Sequence, residues 1–259
     1  MLHWRNLATQ RKTVTKMLTI LTILAVGVTD LIDLTRSRLS VATVRYIQLA
    51  WWLVLTIGSA FWIRPDGWAG AVGALVAAAW YFISERMHGR NDQDNNNRTV
   101  PELYAWSAIG LVVLLAGSAW VDLAFLAGPV PSGLMWLALA VFLTQSGNRI
   151  TRAVLLLSGR ELGDDGQAAG AVPASRLKGG RVIGPLERIF IMVLTVVGAY
   201  HVVAALMAAK GIVRFPEISA DAKRDDPVQA GTKAEEFLVG SLASWGLAGG
   251  AGLLASILM

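Results

Sequence analysis

The chain closes on Phe237–Met259, a run without a single charged side chain. A hydrocarbon core ~30 Å thick needs roughly 20 mostly apolar residues in a helix that rises about 1.5 Å per residue, so this run is long enough to cross one. Four more uncharged runs come close: Ile47–Ile63, Trp68–Ser84, Leu103–Val121 and Val130–Asn148. In lipid there is no water to bond backbone N–H and C=O groups, and a helix satisfies them within one segment. The runs therefore predict an all-α, polytopic membrane protein, a single integral membrane domain over residues 1–259. Charged residues make up only 16% of the chain, against about 25% in soluble domains. Cysteine is absent, which removes disulfides, thiolate metal ligands and a cysteine nucleophile together.

A formal charge of +5 would suggest nucleic acid if the basic residues were clustered on a soluble surface. They stand instead in the connections between apolar runs, where they set orientation and contact anionic lipid head groups. The expected partners of these basic loops are thus membrane lipids, not nucleic acid. Arg64 is the only Lys or Arg between Ile63 and Trp68, and none lies between Val121 and Val130. Those two connections are expected outside, and Arg36–Arg45, Glu85–Glu102 and Arg149–Arg188 in the cytoplasm. Trp62 with Trp68, and Trp120 with Trp136, bracket the outer turns as an interfacial belt would. Residues 91–102 and 159–175 are polar or rich in Gly and Ala, and read as flexible cytoplasmic loops.

Two runs need a further argument. Met17–Thr29 is too short to span unless Asp30 and Asp33 enter the bilayer with it. Ile189–Ala209 is long enough, but Gly198 and Tyr200-His201 sit at its middle. A single crossing there would carry Lys210, Arg214, Lys223, Arg224 and Lys233 outside, where the two short turns hold only Arg64. We therefore expect a re-entrant segment that breaks near Gly198 and returns, with both ends cytoplasmic. The same rule keeps Arg5, Arg11, Lys12 and Lys16 inside, so Met17–Thr29 is expected to insert without crossing. The expected topology is five full spans plus two inserted, non-crossing segments, with the N-terminus cytoplasmic and Met259 outside. The alternative is seven transmembrane helices, with the N-terminus and Lys210–Glu236 outside.

Several residues could carry chemistry. Lys210 and Arg214 stand at i and i+4, where like charges repel unless an anion intervenes. Glu217, the pair Glu235-Glu236 or a lipid phosphate could supply it. With Glu187 and Arg188 they read as an ion-pair network fixing how the helices emerge, or as an anion-binding site. Asp30 and Asp33 share a helix face and are expected at the interface near Arg36 and Arg38; carboxylates set deeper would suggest an ion or proton path. Asp122 is expected at a solvated outer rim. His201 is more readily a packing residue than a proton carrier. No His cluster, P-loop, nucleophile elbow or H-E-x-x-H motif occurs, so no catalytic residue, metal or cofactor is expected. Small residues recur at Gly240, Ser244, Ala248, Gly252 and Ser256, with Gly246 and Gly250 as a GxxxG pair. Such a stripe lets backbones approach, either inside one bundle or in a homo-oligomer.

Three blocks, "LKGGRVIGPLERIFIM" (Leu177–Met192), "AAKGIVRFPEI" (Ala208–Ile218) and "AEEFLVGSLASW" (Ala234–Trp245), carry a resemblance. They resemble the C-terminal signature of an uncharacterised family of small bacterial multi-pass membrane proteins. The signature falls on Gly184, Glu187, Arg188, Ala209, Lys210, Arg214, Phe215, Glu236, Phe237, Gly240, Leu242 and Ser244, within the region 177–259. The family's N-terminal His and Leu-Gln are missing here. The resemblance implies a bacterial inner (plasma) membrane and supplies no activity. Three functions are then expected to compete. One is an accessory or scaffold subunit presenting basic cytoplasmic loops to a protein partner. Another is a transporter or channel for an anion or proton. The third is a membrane enzyme or binder of lipid phosphate head groups, with Arg181, Arg188, Lys210 and Arg214 on the phosphate.

Overall fold

The computed structural model describes residues 17–62, 67–88, 99–125, 130–157, 180–224 and 227–259. The loops expected to be flexible, 91–102 and 159–175, lie outside the described residues apart from 99–102. Helix α1 spans Leu18–Leu34 and runs into a 3-10 turn at Thr35–Ser37. Then follow α2 (Val41–Trp62), α3 (Trp68–His88), α4 (Thr99–Phe125) and α5 (Ser132–Leu157). The chain finishes with α6 (Gly180–Val196), α7 (Tyr200–Arg224) and α8 (Pro227–Leu258). No strand occurs among the described residues, and the protein is all-α.

Among the described residues five helices are long and apolar enough to cross a membrane, the number expected, but they are not the same five. They are Leu18–Ser37, Val41–Phe61, Trp68–Arg86, Glu102–Phe125 and Phe237–Leu258. Leu18–Ser37 enters this set although Met17–Thr29 was expected not to cross. Val130–Asn148 leaves it: α5 continues to Leu157 through the polar stretch Thr144–Arg152.

The reason for the first change lies in packing. Leu18 through Gly27 is buried without interruption, as expected of a helix that is apolar all round. Burial reaches 67% of the α1 window but only 17% of the α2 window. The face of α2 with Leu53, Val54 and Ile57 is exposed, while most of α1 is covered by protein. A shielded helix can carry Asp30 and Asp33 because neighbouring side chains solvate them. Thr22 and Thr29 hide their hydroxyls by donating to Leu18 O and Ala25 O, each at 2.7 Å.

The contacts fix the direction of α1. A Cβ on Gly73 would stand 3.0 Å from Leu21 O, and Trp80 Nε1 donates to both carboxylate oxygens of Asp30 at 3.2 Å. As α1 advances from Leu21 to Asp30, α3 advances from Gly73 to Trp80, so the two run parallel. Close approach to α5 depends on Gly27, whose missing Cβ would lie 3.0 Å from Phe142 N. At the start of α1, Asp122 accepts from Leu18 N at 3.3 Å and from Thr19 N at 2.8 Å. It thereby satisfies two of the N-terminal donors that a helix leaves open. Asp122 has no exposed surface, which corrects its expected place at a solvated rim.

These contacts belong to one compact unit, built from α1, α2, α3 to Phe82, α4 from Leu111 and α5 to Phe142. A second unit holds α3 from Ile83, α4 to Gly110, α5 from Leu143, then α6, α7 and α8 to Ser256. Within it, α6 ends at Val196 and the chain turns at Gly198, whose φ of 73° is in the left-handed region. Gly198 N donates to Thr195 O at 3.1 Å and Ala199 N to Leu194 O at 2.9 Å. This paired capping pattern terminates helices at a glycine, because only a residue without Cβ adopts that φ cheaply. Val202 N and Val203 N then bond Ala199 O to begin α7. The expected break at Gly198 falls in the turn between α6 and α7.

Candidate functional site

The ends of Ile189–Ala209 meet. Lys210 Nζ lies 2.6 Å from Glu187 Oε2 and 2.9 Å from Oε1. In one unbroken helix these residues would stand about 34 Å apart. The Gly198 turn folds α7 back along α6 and brings cation and carboxylate together. Trp245 of α8 donates its indole N–H to Glu187 Oε1 at 2.8 Å. Lys210 Nζ stands 5.4 Å from the Trp245 ring centroid, a cation–π distance. Three helices thus close on one carboxylate. Glu187 keeps 14% of its side-chain surface and Lys210 38%, so the pair is partly shielded, with the lysine at its wetter edge.

Arg188 turns the other way, toward α5, and is 3% exposed. Its Nε donates to Gly184 O at 3.2 Å and its Nη2 donates to Asn148 Oδ1. Its Nη1 has no hydrogen-bond partner. Glycine makes this geometry possible, since a Cβ at Gly147 would collide with Nη1 and one at Gly184 would come 3.1 Å from Nη2. Among the described side chains the cluster holds the two cations Arg188 and Lys210 with the carboxylate of Glu187.

Of the expected network, Glu187 and Lys210 are brought together and Arg188 is held beside them on a separate partner. The side chains of Arg214, Glu217 and Glu236 lie outside the described residues. Asn148, Gly147 and Trp245 were missed as cluster members. A usable signal existed for two of them, because "TQSGN" (Thr144–Asn148) is polar where Val130–Asn148 should be fading into lipid head groups. Trp245 looked like one more apolar residue of the last run.

The remaining candidates are dispersed. Asp30 has no exposed surface and accepts from the indole N–H of Trp80. Asp33 is 3.8 Å from Arg36 Nε. His201 is exposed. In the last helix, Ala248 and Gly252 are buried, and a Cβ on Gly252 would stand 2.6 Å from Thr195 Cβ and 2.8 Å from Met192 O. A Cβ on Gly240 would stand 3.6 Å from Leu155 Cδ1 of α5, and Ser244 is half-buried. Gly252 of the stripe thus packs against α6 and Gly240 faces α5, whereas Ser256 is exposed. Gly246 and Gly250 have nothing within 4 Å of where a Cβ would be. Among the described residues no three His, Asp or Glu side chains gather as a metal site would require. No family model, curated protein or solved structure matches the chain.

Proposed function

We propose that the chain is an accessory or scaffold subunit of a bacterial inner membrane, holding basic cytoplasmic segments toward a protein partner. The Glu187–Lys210 pair carries this reading. A hairpin whose ends meet returns the chain to the side it came from, so Arg149–Arg188 and Lys210–Glu236 belong to one surface. The sequence places seven Lys or Arg in the first and five in the second. The inner membrane in this reading rests on the resemblance of the C-terminal blocks.

The orientation follows from direction. The start of α3 follows the Arg64 turn, which basic-residue bias assigns to the outside. Because α1 runs parallel to α3, its start at Leu18 faces outward too, in place of the cytoplasmic N-terminus expected from charge alone. Arg5, Arg11, Lys12, Lys16 and Arg64 then fall outside, and the other 18 of the 23 basic residues inside. The bias still favours this orientation over its reverse. The last helix leaves Met259 outside.

Cross-linking in intact membranes followed by purification of the tagged full chain tests the scaffold reading. A specific protein should be captured, and capture should fall when Arg176, Lys178 and Arg181 are changed together to Gln. Recovery of the chain alone, or capture indifferent to those changes, would refute it. A transporter for a proton or anion is the second reading, favoured by the complete burial of Asp30. Proteoliposome flux that is absent, or unchanged by Asp30→Asn, Lys210→Ala and Arg214→Ala, would remove it.

A further inference from the structure

We propose that α6 and α7 each cross the whole membrane, which puts the Gly198 turn outside and sets the Glu187–Lys210 ion pair inside the bilayer. The proposal is independent of the scaffold reading, which needs only that both arms of the hairpin return to one side. It departs from the re-entrant segment expected from the sequence. The turn carries the argument. Val197, Gly198, Tyr200 and His201 are all exposed. Where one helix stops and another starts, the last carbonyls and the first N–H groups lack helical partners. Such backbone is tolerated at membrane depth only when protein or water covers it, never bare against lipid. An exposed turn therefore belongs beyond the hydrocarbon, and Tyr200, 59% exposed beside it, suits an interfacial aromatic.

The register of the helices agrees. Glu187 meets Trp245, and a Cβ on Gly252 would touch Thr195 and Met192, so α6 and α8 run parallel and in step. Gly198, three residues beyond Thr195, comes level with Ala255, three beyond Gly252 and close to the end of α8 at Leu258. Along α8 the rise from Phe237, where charge stops, to Trp245 is about 12 Å, and from Trp245 to Ala255 about 15 Å. Together these approach the ~30 Å of a hydrocarbon core, with Glu187 and Lys210 near its middle. Neither α6 nor α7 is among the five apolar helices, since Glu187, Arg188 and Lys210 interrupt their runs. Paired, those charges cost less: Lys210 neutralises Glu187, and Arg188 donates to Gly184 O and Asn148 Oδ1. Ionisable groups at that depth mark ion and proton pathways, which gives the transport reading a second site besides Asp30.

Single cysteines in the full chain locate the turn. In intact cells a membrane-impermeant thiol reagent should label Ala199→Cys and His201→Cys as fully as it does in opened membranes. Because His201 is exposed, burial within the chain does not protect that position. Labelling of His201→Cys only after the membranes are opened puts the turn in the cytoplasm, and protection under both conditions makes it a covered re-entrant tip; either result overturns the proposal. The depth of the ion pair has its own readout, the membrane accumulation of Glu187→Gln, Lys210→Met and the double variant. Each single change strands a charge in the bilayer and should lower accumulation several-fold. The double change strands none, keeps an acceptor for Trp245, and should recover most of the loss. Single variants that accumulate like wild type, or a double variant no better than the product of the two single effects, would put the pair in water and overturn its placement. If neither single variant accumulates, recovery in the double still decides.

Discussion

Lys210 Nζ and Glu187 Oε2 are 2.6 Å apart although the residues are 23 positions apart in the chain. That one relationship turns a membrane-length apolar run into a hairpin. It also ranks the two partners. Glu187 serves two donors on two helices, whereas Lys210 is partly solvated. Glu187→Ala should therefore cost more than Lys210→Ala. Complete burial would set the loss near 3–5 kcal/mol, and the residual exposure reduces it to roughly 1–3 kcal/mol. Unfolding of both variants in mild detergent measures it. Equal losses would mean that Trp245 contributes nothing through Glu187.

The hairpin and the direction of α1 make a joint prediction about sidedness. Because the chain has no cysteine, single introduced cysteines report cleanly. In intact cells a membrane-impermeant thiol reagent should label Met17→Cys and Ser132→Cys and spare Ser219→Cys. Labelling of Ser219→Cys would sink the hairpin reading. Protection of Met17→Cys would instead sink the outward start of α1 and leave the hairpin standing.

Asp122 is expected to matter as much as the ion pair. Asp122→Ala should remove the acceptor of Leu18 N and Thr19 N and cost about 1–2 kcal/mol, the usual loss for a helix N-cap. Asp122→Asn keeps one acceptor oxygen and should recover part of that. Wild-type thermal stability in Asp122→Ala would show that α1 begins elsewhere.

The seam of α8 predicts a sharp contrast between neighbouring glycines. Gly252→Ala places a methyl 2.6 Å from Thr195 Cβ, and such overpacking costs roughly 1–3 kcal/mol. Gly250→Ala meets nothing within 4 Å and should be neutral, or stabilising by up to about 1 kcal/mol through helix propensity. Leu253→Ile, on an exposed position, is the further control. Similar stability of the Gly252 and Gly250 variants would place the seam on the wrong face.

The sequence by itself determined that this is a helical membrane protein. Uncharged runs of about 20 residues have one stable solution in lipid, and that argument needs no tertiary information. It also located the break at Gly198, because a glycine beside polar residues is a local signal that acts through its own φ. The repeat of small residues at Gly240, Ser244, Ala248 and Gly252 likewise showed that α8 has a close-packed face. It could not show that a Cβ on Gly246 or Gly250 would meet nothing within 4 Å in this chain.

Only the tertiary structure decided the rest, and the reason is the same each time. Charge-free length measures what lipid tolerates, whereas Asp30 and Asp33 face protein, so α1 is longer than its apolar run and takes a direction set by Gly73, Trp80 and Asp122. Local charge spacing likewise put Arg188 with Glu187 and Lys210. The fold holds Arg188 instead against Gly147 and Asn148, residues 40 or so positions away whose proximity no periodicity encodes. Periodicity and composition report on a segment and its solvent. Which buried side chain faces which neighbour depends on how helices far apart in the chain are packed together.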